Sequence, residues 1–195
     1  MGFSHLLKIE VALANFRARF DIPLDVDVAY CHEDNIALER RLHIVFFPLM
    51  SILEGGVRFL IDLLILTALR FYGLCPDQLP PNFYWVVNSV SWLNNLYRLH
   101  LDHHDINFMD SLCGNKRSGY YLKVRDTLVW LISCLPNSNR NSTREYVWVS
   151  GNWITNELTY PTSPRDIGQY RSHLIYCYYQ CFVIYLRLFL FLLEC

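Results

Sequence analysis

The chain has 195 residues, of which 53% are hydrophobic, 15% aromatic and only 18% charged, against a charged share of roughly 25% in ordinary soluble domains. That composition excludes disorder as the dominant state, and the length suffices for one domain with a buried core. Lys and Arg total 17 against 18 Asp and Glu, a net charge of -1, so no global cationic field gathers a polyanion at long range and any nucleic-acid contact has to be local.

Leu6, Ile9, Leu13, Phe16 and Phe20 recur at three- and four-residue steps, which predicts an amphipathic helix over 5–20. Pro23 ends it, because a proline disfavours helical geometry in the residue before it. From Leu24 to Tyr30, Val26 and Val28 alternate with Asp25 and Asp27, the pattern of a short, half-exposed strand. The acidic stretch from His32 to Glu39 reads as a surface loop. His43 to Leu53 is apolar but broken by Pro48, and Gly55-Gly56 separates it from a second run, Phe59 to Leu74. Interrupted by Asp62 and Arg70, that run is shorter and more charged than the roughly 20 apolar residues a bilayer span needs, so it predicts a buried core helix.

Gly73 stands where that helix ends, and Cys75 to Asn82, with three prolines, forms a turn. Phe83 to Leu101 carries a second helical stripe through Val86, Val90, Leu93 and Tyr97. Asp102 or Asp105 caps a shorter helix running through Leu112, and Gly114 to Gly119 is a polar loop. The pattern then changes to short aromatic and β-branched runs, Tyr120 to Val124, Leu128 to Ser133 and Tyr146 to Val149, separated by turn-rich segments. Helices followed by such strands predict an α+β fold: a mainly helical domain with a small antiparallel sheet in its C-terminal part, followed by an apolar C-terminal helix. The domain is expected over 5–157 and a linker over 158–172.

The tail, 173–195, contains Leu174 to Leu193, 20 residues with Gln180 and Arg187 as the strongly polar members, long enough for a transmembrane helix. Arg165 and Arg171 precede it, so a membrane anchor would leave the domain cytosolic. Seven scattered cysteines form no CxxC pair, and no secretory leader is recognised, which predicts a reduced intracellular setting. In that setting Asn141-Ser142-Thr143 is a chance sequon within an Asn/Ser-rich loop, and Leu6 departs from the myristoylation pattern that Gly2 would begin.

Chemistry-bearing clusters are sparse. His100-Leu101-Asp102-His103-His104-Asp105 concentrates metal-ligand types, but on a helix only a pair such as His100 and His104 shares a face, and two ligands make no site. A polar helix start with capping aspartates explains the same residues. Cys177 and Cys181, also four apart, suit packing or lipid exposure as well as a soft metal or palmitate. Ser150-Gly151 lacks the G-x-S-x-G context, there is no phosphate loop, and Asp62, Asp77, Asp102 and Asp126 have no recognisable strand-end arrangement for holding two cations. No catalytic residue, metal site or cofactor is therefore expected. Between Ser111 and Arg144, six basic residues (Lys116, Arg117, Lys123, Arg125, Arg140 and Arg144) face one acid, Asp126, a net of +5. Tyrosines and Trp130 interleave with these charges, a mixture that stacks on single-stranded nucleic acid, although the same aromatics would serve equally as the core face of a sheet.

Read in order, several phrases resemble the gypsy-type transposase domain of plants, found in proteins encoded by Gypsy-class long-terminal-repeat retrotransposons. They are Phe20-Asp21-Ile22-Pro23-Leu24-Asp25-Val26, Glu54-Gly55-Gly56-Val57-Arg58-Phe59, and the stretch from Phe71-Tyr72-Gly73 through Pro80-Pro81-Asn82. Gly119-Tyr120-Tyr121-Leu122-Lys123-Val124-Arg125, Leu135-Pro136 and Val147-Trp148-Val149-Ser150-Gly151-Asn152-Trp153 follow. The resemblance covers residues 13–157 and implies a structural, Gag-like module with no assigned catalytic residues. Two departures stand out: Leu60-Ile61 follows Arg58-Phe59 where a proline is expected, and the apolar tail replaces a long polar or coiled-coil region, as in a truncated element. The expected function is that of a retrotransposon-derived, non-enzymatic protein of the nucleus or cytoplasm. It would act in self-association or nucleic-acid packaging, with itself and RNA or single-stranded DNA as partners. A tail-anchored membrane protein, contacting the bilayer through residues 174–193, is the alternative, and an active transposase or integrase component comes third.

Overall fold

Two aromatic rings, Phe16 and Phe20, close the first helix onto the core with centroids 4.7 Å apart. The computed structural model describes residues 10–36, 44–115, 119–124 and 145–154. Its first helix, α1 (Glu10–Arg19), stops as expected just before Pro23, with Asp21 in left-handed backbone at φ 52°. The Arg17 guanidinium holds the exit, donating to the carbonyls of Pro23 at 2.9 Å and Val26 at 2.6 Å. These bonds lead the chain into β1 (Val26–His32), where Val26 and Val28 are buried and Asp27 is exposed, as the alternation predicts. A 3-10 turn at Glu33–Asn35 follows within the acidic stretch.

The apolar run containing Pro48 divides at that proline into β2 (Val45–Pro48), wholly buried, and the short helix α2 (Leu49–Leu53). The next run is not helical throughout. Ile61 bonds instead across the molecule, its N–H donating to the Trp153 carbonyl at 3.2 Å, and the helix α3 (Leu63–Tyr72) begins only after Asp62. Asp62, an interruption in the sequence pattern, is the N-cap: its Oδ1 accepts the Leu64 N–H at 2.7 Å. Gly73 ends the helix at φ 64°, as expected.

Cys75 to Pro80 forms the predicted turn, including a 3-10 segment at Pro76–Gln78 whose Pro76 carbonyl accepts the buried Tyr84 hydroxyl at 2.9 Å. Helix α4 (Pro81–Tyr97) starts on a proline, whose missing N–H costs nothing at that position, and stops at Arg98 in left-handed backbone. Helix α5 (His103–Met109) has the expected cap at Asp102, joined by Asp105 in a reciprocal capping box. It ends earlier than predicted. Leu112 lies on β3 (Asp110–Asn115), which pairs antiparallel with β4 (Gly119–Val124).

The α+β class is as expected, a mainly helical domain with small antiparallel sheets. The larger sheet also recruits strands from the N-terminal half. Its order is β1-β5-β2, with β5 (Glu145–Gly151) in the centre and both pairings antiparallel. Val149 stands between Val28 and Val45, and Val147 between Tyr30 and Phe47. Phe47 reaches from this sheet into the helical layer, with its ring 5.9 Å from Phe59, 6.1 Å from Tyr84 and 5.7 Å from Trp153. The strand expected at Leu128 to Ser133, the linker and the apolar tail lie outside the described residues. Among the described residues, no helix is long and apolar enough to cross a membrane.

Candidate functional site

The β3–β4 hairpin carries the described part of the basic, aromatic section. Leu122 lies opposite Leu112, Tyr121 opposite Cys113 and Lys123 opposite Ser111. Strand alternation sends Leu112, Tyr120 and Leu122 into the core and leaves Tyr121 half-buried and Lys123 exposed. The two adjacent tyrosines therefore divide: Tyr120 is a core residue, and Tyr121 shares the outward face with Lys123. Asn82 secures the hairpin from below, its side-chain amide donating to the Leu122 carbonyl at 3.5 Å. Lys116, Arg117, Arg125, Arg140, Arg144 and Trp130 lie outside the described residues.

The histidine cluster is arranged differently from the expected helical pair. His100 precedes the helix, exposed and at φ 56°, in a loop that Asn94 clamps through both the N–H (2.8 Å) and the carbonyl (2.6 Å) of Leu101. It shares no helical face with His104, because the helix begins after Asp102. His103 and His104 instead pack against each other at 4.3 Å and on the Phe71 ring of α3 at 4.7 and 4.9 Å. Burial, reinforced by the neighbouring His104, lowers the His103 pKa below its ordinary value, and Asp102 and Asp105 partly oppose that shift. Among the described residues no group of three or more His, Cys, Asp or Glu side chains could hold a metal ion.

The carboxylates singled out for two-cation chemistry occupy structural places. Asp62 caps α3 with one oxygen and accepts the Ser91 hydroxyl of α4 with the other, at 2.5 Å. Asp102 caps α5. Asp77 lies in the 3-10 turn, where its charge adds to burial in raising the phenol pKa values of Tyr84 and Tyr146. Asp126 lies outside the described residues. Ser150-Gly151 likewise belongs to the scaffold. Gly151 sits at φ +88°, and a Cβ there would fall 2.2 Å from the Asp25 carbonyl oxygen.

A surface that the sequence reading missed runs along α4. Val86 and Val90 are buried as predicted, but Tyr97 is 40% exposed, and Trp85, Trp92 and Leu96 are 40%, 62% and 51% exposed. These last three, with Ser89 between them, follow a four-three-four spacing and lie within about 60° of one another around the helix. The helix contains no charged residue from Pro81 to Tyr97, so this outward face has no ionic groups of its own. That missing charge, in a segment otherwise patterned as amphipathic, is the sequence signal that marks it. Leu60 and Leu63, 50% and 51% exposed, flank Asp62, which the Ser91 bond ties to the same helix one residue before Trp92.

Comparison with protein-family models, curated proteins and solved structures finds no match.

Proposed function

We propose that this chain is a non-enzymatic, retrotransposon-derived assembly module that works by self-association. The observation that carries the reading is where the residues of the resembling phrases lie. Phe20, Ile22 and Val26 are core residues at the α1–β1 junction. Gly55 leaves no room for a side chain between the backbones of Ser51 and Pro81, and its carbonyl accepts the Asn88 amide at 2.9 Å. Gly73 ends α3, Tyr84 bonds the Pro76 carbonyl, and Gly151 and Asn152 meet Asp25, a residue of the first phrase, from the last. Such residues make turns, caps and close approaches. A chain in which the residues of these phrases serve its shape suits a structural role, of which self-association is one form.

A nucleic-acid packaging role is favoured by one specific observation, the outward placement of Tyr121 beside Lys123 on β4, which offers one stacking ring and one phosphate contact. Two assays test these readings on the purified full chain. Incubation with DNA and Mg²⁺ or Mn²⁺ is expected to leave the DNA uncut, and cleavage abolished by Asp-to-Ala substitutions would overturn the non-enzymatic reading. RNA or single-stranded DNA binding, if it uses β4, should weaken steeply with salt and fall on charge reversal at Lys123 and Arg125. Binding indifferent to both substitutions would remove that surface from the account.

A further inference from the structure

We draw no further inference here: the strongest candidate, the outward apolar face of α4 formed by Trp85, Trp92 and Leu96, carries nothing, because nothing in the structure shows what covers it.

Discussion

Replacing Gly151 by Ala probes the joint that closes the larger sheet. The substitution asks an L-residue to hold φ +88°, which costs about 1–2 kcal/mol by crowding of the Cβ against the backbone. It also sets a methyl group 2.2 Å from the Asp25 carbonyl oxygen, a backbone atom that cannot turn aside. Relief requires β1 and β5 to part at this end. That movement strains the Asn152 N–H to Asp25 carbonyl bond of 3.3 Å and the Asn152 amide to Asp25 carboxylate bond of 3.1 Å, contacts of about 0.5–1.5 kcal/mol each. The expected loss is about 2–5 kcal/mol in all. Gly56→Ala is the control: φ is +73°, but the nearest foreign atom is the movable Asn88 amide nitrogen at 3.4 Å, so only the backbone cost of about 1–2 kcal/mol applies. Urea unfolding followed by tryptophan fluorescence gives both values from the midpoints and slopes. A Gly151→Ala loss no larger than that of Gly56→Ala would refute the argument that close strand approach, and not backbone conformation alone, requires glycine there.

Leu66, 2% exposed in α3, should lose about 2–5 kcal/mol on truncation to Ala, measured in the same assay, and a neutral effect would remove α3 from the core. Asp62→Ala removes both the α3 cap and the acceptor for Ser91, so a loss of about 1–3 kcal/mol is expected in thermal unfolding, with Asp62→Asn retaining part of it. The His103 pKa is lowered in the folded state by burial and then by His104, so protonation favours the unfolded chain. The corresponding stability is present above the ordinary value of 6.5 and declines as pH falls from there through the lowered folded-state value. His103→Gln should flatten that part of the stability–pH profile, and an unchanged slope would contradict the assignment.

Local punctuation was the most legible part of the fold. Gly73, Asp102 and the prolines on either side of Leu79 act through their own backbone geometry or a side chain two or three residues away, so a short window contains the whole cause. Long-range pairing was not legible in that way. Tyr146 to Val149 reads as a strand, but its neighbours, Val26–His32 and Val45–Pro48, lie about a hundred residues earlier, and period-two alternation says nothing about who pairs with whom. The misplaced end of α5 has a similar cause. Ile106, Met109 and Leu112 continue a three-residue step, whereas the chain turns extended at Asp110 because β4 supplies a partner for the strand that begins there.

The surface of α4 was hidden by a one-way rule. Apolar side chains usually mark the buried face, so the periodicity of Val86, Val90, Leu93 and Tyr97 defines the stripe, whereas Trp85, Trp92 and Leu96 stand about 100° around the helix and face outward although they are apolar. Likewise, His100 and His104 are separated by one helical turn in sequence, but the cap at Asp102 places only one of them on the helix. Candidate ligands and candidate surfaces both depend on where an element begins, a boundary that side-chain periodicity defines poorly.

The central claim, that the chain is an assembly module, is tested most directly by sedimentation velocity of the unmodified full chain over a roughly hundredfold range of concentration. The account predicts a sedimentation coefficient that rises with concentration from the monomer toward the dimer. A single monomeric species throughout that range would contradict it.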